Sequence, residues 1–506
     1  MCMVYLIGAG PGDPGLITVK GLSCIKKADV VVYDYLAAPA LLANAREDAE
    51  IIYVGKKGGD HTLSQEGINR LLVDKAKEGK TVARLKGGDP YIFGRGGEEA
   101  EVLAAANIPF EVVPGVTSAV AAPAYAGIPL THRRMTSTVT FVTGHEDPAK
   151  EGSSIRWKEL AAGGGTLVFL MGVKNLPGIA KNLMDHGRSA DTPAALVRWG
   201  TTPKQESLAA TLGTIAKEAE KAGIKAPAVL VVGEVVSLRH ALSWFEKKPL
   251  FGKTIVVTRS RAQASALVER LAELGARCIE TPAIRVAPPE DPGPMDRAID
   301  ALSSFHWLGF TSVNGVDFFF DALRTKGLDA RALGGAKVAA IGPATAARLG
   351  DFGIVPDLVP ETFRAESVAE AFSGMDMEGK RVLLPRARLA RPVLPVELSK
   401  MGAEVHEVVA YETLPGADDA GDLPLLLEKG EVDAVTFTSS STVDNFARIL
   451  GEADFAEKMS RTLAACIGPV TAETLEKHGV KPAVVAEQYT IAGLVDALAG
   501  HFLHAH

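Results

Sequence analysis

Cysteine is scarce in this 506-residue chain, and Cys2, Cys24, Cys278 and Cys466 stand far apart with no CxxC spacing. Such a set argues against a disulfide framework or a cysteine zinc site and favours reduced thiols packed as small hydrophobes. Long apolar runs are missing too: none approaches the roughly 18 residues that would cross a bilayer. The opening MVYLIGAG enters a strand pattern without a basic n-region or cleavage site, so a chain that is neither secreted nor membrane-embedded, and hence cytoplasmic, is expected. Positive charge is not in excess. A net charge of −7, with no basic stripe interleaved with aromatics, argues against nucleic acid as the main partner. An anionic ligand would need local arginines instead. His501, His504 and His506 crowd the tail without a second ligand cluster, the pattern of a frayed terminus, and no metal is expected.

What is present is ordinary for a soluble α/β enzyme: 47% hydrophobic residues, 23% charged and 51 glycines. The length suits three or four compact units of roughly 100 to 200 residues each. Within it, residues 252–500 repeat themselves. GKTIVVTRSR (Gly252 to Arg261) returns as GKRVLLPRAR (Gly379 to Arg388), and LGFTSVNGVDFFF (from Leu308) as VTFTSSSTVDNF (from Val435). AAIGPATAARLGDFGI (from Ala339) returns as ACIGPVTAETLEKHGV (from Ala465), all at an offset of about 127 residues. Two similar α/β lobes with a cleft between them follow. The first 245 residues lack the repeat, so two proteins are joined in one chain.

In residues 3–240, short apolar strands, glycine turns and amphipathic helices alternate, the rhythm of a largely parallel sheet. One set is MVYLIGAG, DVVVYD, EIIYVG, TVARLKGGD and FEVVPG; a second is TVTFVTGH, TLVFLMGV, PAALVRWG and AVLVVGEV. Ligands of such sheets gather at the carboxyl ends of the strands. The loop GAGPGDP (Gly8 to Pro14) is a weak motif alone. LKGGDPYIFGRGGEE (Leu85 to Glu99) says more, because Gly87 and Gly88 let backbone approach a ligand closely and Asp89 can accept hydrogen bonds from a ribose or amine. VPGVTSA and GIPLTHRR follow in order.

This ordered set resembles the tetrapyrrole methylase family, and within it the uroporphyrinogen-III C-methyltransferases, over residues 1–245. The resemblance implies two α/β/α subdomains with S-adenosylmethionine in the cleft between them. It implies cofactor contacts from Pro11, Gly87, Gly88, Asp89, Ile92, Thr117 and Ser118, with Met171, Gly200 and Ala228 from the second subdomain. Methyl transfer to carbon needs an aligned nucleophile and a base for the proton released. Asp34 and Lys56, each at a strand end, match the family's proposed proton-acceptor and proton-donor positions; the plain alternative is a pair of surface charges. Arg95, His132, Arg133 and Arg134 are candidates to clamp substrate carboxylates, against the alternative of solvated loop charges. A homodimer through this half is implied.

In the repeat, Thr311-Ser312 and Thr438-Ser439 each follow a strand and open a helix, where hydroxyls cap amides and anions are attracted. Two IGP turns, each followed by a threonine (Thr345, Thr471), add a second pair. With no Cys/His or Ser/His/Asp pattern, no Walker lysine and no spaced metal ligands, this half holds and folds a polyanion more than it attacks one. It is similar to the uroporphyrinogen-III synthase family over about residues 252–500. That family closes hydroxymethylbilane while inverting its last pyrrole, through loss of hydroxide and a spiro intermediate. The resemblance makes Tyr411 a group that assists departure of the hydroxyl, Thr311, Ser312, Thr438, Ser439 and Thr471 cleft residues, and Arg386 a carboxylate contact. It also implies exchanged lobes, 253–284 plus 412–506 and 285–411, joined by two crossing strands, after a linker at 246–252.

The expected function is therefore bifunctional: cyclisation to uroporphyrinogen III, then two methylations to precorrin-2. A second reading keeps the methylase and makes the repeat a non-catalytic tetrapyrrole-binding or regulatory module. Whether precorrin-2 then serves sirohaem, cobalamin or haem stays open, and its oxidation and metal insertion are assigned to other proteins.

Overall fold

The computed structural model describes residues 3–55, 63–145, 154–259, 261–360, 365–416 and 422–504. Contacts divide the chain into two compact units. One is Met1–Lys253 with Leu271–Arg277 and Phe502–His506; the other is Thr254–Arg270 with Cys278–His501.

The first unit opens with β1 (Val4–Gly8), β2 (Val30–Tyr33), β3 (Glu50–Tyr53), β4 (Val82–Lys86) and β5 (Phe110–Val113). They form one sheet in the order β3-β2-β4-β1-β5, with every pair parallel. Strands covered on both faces read as continuous apolar runs, and Val30, Val31 and Val32 are all fully buried. Alternation sends Val30 and Val32 into one core and Val31 into the other. The covering helices start where the sequence supplies caps: Thr18 accepts from the Gly21 amide and Ser64 from that of Gly67.

A second sheet follows: β6 (Val139–Thr143), β7 (Thr166–Leu170), β8 (Pro193–Arg198), β9 (Glu206–Thr211) and β10 (Ala228–Val232), in the order β6-β7-β10-β8-β9. Here the expectation of a largely parallel sheet is corrected. Only β6 and β7 run parallel; β7-β10, β10-β8 and β8-β9 are antiparallel. The short link between β8 and β9 can close a hairpin, whereas a parallel return needs a crossover of a dozen or more residues. Strand β9 was not expected at all, because ESLAAT is half-exposed and lacks an apolar run.

The second unit holds two more five-stranded sheets. Its strands are β11 (Thr254–Val257), β12 (Arg277–Glu280), β13 (Ile284–Ala287), β14 (Trp307–Phe310), β15 (Lys337–Ala340), β16 (Arg381–Ala387), β17 (Glu404–Pro415), β18 (Ala434–Phe437), β19 (Leu463–Cys466) and β20 (Val484–Val485). One sheet runs β12-β11-β18-β19-β20 and the other β13-β17-β16-β14-β15. The repeat offset pairs β11 with β16, β12 with β17, β14 with β18 and β15 with β19. Both sheets therefore have the same strand order, and each takes two strands from the opening of one repeat and two from the close of the other. β13 adds antiparallel to β17, from Ile284 opposite Pro415 to Ala287 opposite Glu412.

Candidate active site

In the first unit, β4, β1 and β5 are neighbours and parallel, so the loops after Lys86, Gly8 and Val113 emerge side by side. They meet backbone to backbone. A Cβ on Gly8 would lie 2.4 Å from the Gly115 Cα and 2.7 Å from the Gly88 carbonyl oxygen, and one on Gly115 would lie 2.4 Å from that same oxygen. Gly10 and Gly88 bridge, the Gly88 amide donating to the Gly10 oxygen at 2.7 Å, and Gly88 holds φ +71°. Only glycine fits such an approach. Gly87 packs its bare face on Leu36, and Gly88 faces the start of the helix Ser118–Tyr125, where Thr117 caps the Ala119 amide. Pro11, Gly87, Gly88, Thr117 and Ser118 thus lie in one neighbourhood.

Asp89 accepts hydrogen bonds from the backbone of two loops. Oδ1 accepts the amides of Tyr91 (2.8 Å) and Ile92 (3.1 Å), and Oδ2 that of Gly115 (2.9 Å). Its carboxylate ties two loops together, and Ile92 at the loop's tip is exposed. Arg95, in the left-handed region at φ +59°, pairs with Glu98.

The antiparallel turn of the second sheet has a chemical consequence. Because β10 runs against β7 and β8, its first residue, Ala228, sits opposite Arg198, and Val229 sits opposite Leu170. An amino-terminal strand residue is thereby placed beside Met171 and the WGT turn, which follow carboxyl ends. Backbone strain concentrates here: Met171 (φ +58°), Trp199 (+47°) and Thr201 (+72°) are left-handed without being glycine, a signature of functional loops. Gly200 lies against Ala122, whose Cβ would be 2.3 Å from an added one. The Thr201 hydroxyl accepts the Asp13 amide at 3.0 Å, and Tyr125 donates to Asp13 at 2.7 Å. Burial, then that hydrogen bond, pushes the Tyr125 phenol pKa up. The GPGDP loop of the first sheet and the WGTT turn of the second are thus locked together.

Asp34 follows β2, next to β4. Its carboxylate meets Arg84 at 3.2 Å, and behind Arg84 lies a network absent from the sequence reading: Glu99 Oε1 accepts from Lys86 at 2.6 Å, Arg84 at 3.3 Å and Gln65 at 3.3 Å. The available signal was the alternation of Arg84 and Lys86 inside an otherwise apolar strand, VARLK. Lys56 lies outside the described residues. His132 bridges to Thr136, while Arg133 and Arg134 are exposed.

In the second unit, both FTS segments follow the strand beside which the chain order of the sheet reverses, where open α/β sheets bind ligands. Ser312 accepts the Gly315 amide at 3.0 Å, and Ser439 forms a capping box with Thr442. The Ser312 and Tyr411 hydroxyls share a hydrogen bond of 3.0 Å, with the Tyr411 ring stacked on Phe318. Thr311 and Thr438 are half-buried beside these caps. Arg386, expected to contact a substrate carboxylate, is 6% exposed and engaged within the protein, donating to Glu407 at 2.8 Å and to the Arg391 carbonyl. Thr471 is likewise buried, on the core-facing side of the helix Pro469–Lys477. Among the described residues, no cluster of His, Cys, Asp and Glu is arranged to hold a metal.

Glycine loops gathered at the strand ends of one unit and a duplicated α/β domain of two like sheets in the other define a two-part enzyme. Residues 3–216 match the family of tetrapyrrole (corrin/porphyrin) methylases, and residues 265–496 match uroporphyrinogen-III synthase HemD. Over 98% of its length the chain is 42% identical to the porphyrin biosynthesis protein HemD of Ruminiclostridium josui, covering 97% of that protein. Its first half (47% of the chain) is 58% identical to the S-adenosyl-L-methionine-dependent uroporphyrinogen III methyltransferase of Methanosarcina barkeri, covering 94% of it. A solved uroporphyrin III C-methyltransferase from Thermus thermophilus is 42% identical over 47% of the chain and 99% of its own, with a TM-score of 0.41. The chain belongs to the family in which a tetrapyrrole methylase is fused to a uroporphyrinogen-III synthase.

Proposed function

We propose that this enzyme performs two consecutive steps of tetrapyrrole synthesis: its second part closes hydroxymethylbilane to uroporphyrinogen III, and its first part methylates that product twice to precorrin-2. The observation that carries this reading is the full-length match to one porphyrin biosynthesis protein by a chain that holds both sets of site residues. Domain limits of 1–245, 246–252 and 253–506, with lobes 253–284 plus 412–506 and 285–411, suit the matched segments.

S-adenosylmethionine, when bound, supplies an electrophilic sulfonium methyl group. The loops of Gly8, Gly88 and Gly115 pack backbone on backbone, with no room for a Cβ on Gly8 or Gly115, and this bare, side-chain-free surface supports a ligand approached by backbone. Pro11, Gly87, Gly88, Asp89, Ile92, Thr117, Ser118, Met171, Gly200 and Ala228 would hold it. Asp34 takes the proton that the pyrrole loses after methylation, with Lys56 as donor, and Arg95, His132, Arg133 and Arg134 meet substrate carboxylates. In the synthase part, helix starts at Ser312 and Ser439, with Thr311 and Thr438, bind the acid side chains of the bilane, while the buried Thr471 packs the start of its own helix. Arg386 stiffens one strand end, and the Tyr411 hydroxyl donates to the departing oxygen as ring closure releases water. A cytoplasmic homodimer completes the reading. Exposed Tyr91, Ile92 and Phe93 support an association surface on the methylase half, and buried free thiols at Cys24 and Cys466 suit a reducing compartment.

The test is an anaerobic assay of the whole chain on hydroxymethylbilane, with and without S-adenosylmethionine. Isomer III without the cofactor and a dimethylated product with it are expected. Isomer I alone, with methylation only of supplied uroporphyrinogen III, would reduce the repeat to a binding module.

A further inference from the structure

We propose that Arg84 is a positioning residue for methylation: seated on Glu99 and Lys86, it fixes the carboxylate of Asp34 at the end of β2. This rests on the reading of Asp34 as proton acceptor and deepens it.

Three members of the network are cut off from water, with side-chain exposures of 3% for Arg84, 4% for Lys86 and 0% for Glu99, while Asp34 keeps 27%. Uncompensated buried charge is strongly unfavourable. Two cations and one carboxylate leave the buried trio at one net positive charge, and Asp34 is the carboxylate that balances it. Every nitrogen of the Arg84 guanidinium has an acceptor: Nε on Glu99, Nη1 on the Leu85 carbonyl at 2.9 Å and Nη2 on Asp34. Glu99 Oε1 is shared by three donors, and its Oε2 has no partner among the described residues. Burial and the adjacent Arg84 push the Lys86 ammonium pKa down, against the pull of Glu99.

At the outer end, Asp34 Oδ1 accepts the Leu36 amide at 3.1 Å, so both of its oxygens are oriented. Leu36 is the residue on which Gly87 packs, which presses the Asp34 turn against the glycine loop assigned to the methyl donor. Lys86 of β4 and Tyr53 of β3 also feel this charge, and Tyr33 and Tyr35 flank Tyr53. Lys56 lies outside the described residues. A base must be aligned with the proton it takes, and hydrogen bonds from Arg84 and Leu36 hold the Asp34 carboxylate in one orientation. A lysine at 84 would keep the charge and lose the three-way fork.

The whole chain is assayed for kcat and KM in methylation of supplied uroporphyrinogen III, as the native protein, Arg84→Gln, Arg84→Lys and Asp34→Asn. Binding of S-adenosylhomocysteine by calorimetry reports a folded cleft. Arg84→Gln is expected to lower kcat by about 100-fold while KM stays within about twofold of native. Arg84→Lys is expected to recover part of that loss, leaving kcat about tenfold below native, with KM and S-adenosylhomocysteine affinity within about twofold of native. A loss in Arg84→Gln carried by KM with kcat unchanged, or native kcat in Arg84→Lys, would overturn the proposal. The lysine variant decides alone if the glutamine variant does not bind S-adenosylhomocysteine. Asp34→Asn separates the two ideas, because retained methylation there removes Asp34 from the chemistry whatever the arginine variants do.

Discussion

At the scale of single residues, candidate ligand contacts also shape the loops that carry them. Asp89 accepts three backbone amides. Asp89→Ala strands those amides, at about 1–3 kcal/mol for each that stays buried, and is expected to weaken S-adenosylmethionine binding at least tenfold by calorimetry while cyclisation is unchanged. Asp89→Asn is also expected to fail, since an amide nitrogen cannot accept at both ends of the group. Tyr411 carries the opposite test. Tyr411→Phe keeps the ring on Phe318 and removes only the hydroxyl bonded to Ser312. Closure of hydroxymethylbilane should slow by about tenfold or more, and methylation of supplied uroporphyrinogen III should stay at the native rate. The residue types at these positions were legible in the sequence; their partners, 26 residues away for Asp89 and 99 for Tyr411, were not.

At the scale of elements, the glycine loops act through their mutual approach. Gly115→Ala drives a Cβ into the Gly88 carbonyl and the Gly8 Cα, an overpacking worth about 1–3 kcal/mol. A fall of several degrees in the first unit's melting transition is expected, together with loss of S-adenosylmethionine binding. A variant with unchanged Tm and affinity would show that the three loops separate freely. Strands of the first sheet and the capped helices were readable because burial on two faces and a Ser or Thr cap each leave a local pattern. The antiparallel pairs of the second sheet leave no such pattern. Nothing in AVLVV records direction, and the short RWGTTPKQ link that turns β8 into β9 carries the relevant information only once a hairpin is considered.

At the scale of the whole molecule, the thiols offer a test of packing. Burial pushes the Cys278 and Cys466 pKa up to about 12 and raises that of Cys24. The thiolate is the reactive form, so these three should label very slowly with a disulfide reagent near pH 7.5 in the native protein and rapidly after denaturation. Cys24 and Cys466 lie in the cores, so fast native labelling at either, located by peptide mass, would contradict that packing, while half-buried Cys278 is expected to be the fastest of the three. The scarcity of cysteine and the absence of zinc-like spacing already pointed to inert thiols, but the depth of each site depends on which helices cover it.

The sequence by itself determined that the chain has two unlike parts, that the second is duplicated, and where the glycine turns and helix caps fall. These are local codes, written in positions a few residues apart or in a constant offset. Tertiary structure decided which pieces of the two repeats share a sheet, since equal spacing suits either pairing; the exchange that family resemblance implied lies in the registers of β11 with β18 and β14 with β16, not in the repeat itself. It also decided that Ala228 lies beside Met171, and that Arg84, Lys86, Glu99 and Asp34 form one buried network. Those outcomes depend on long-range packing, where charges must balance and strands must find an edge, and no short window of residues records that energy.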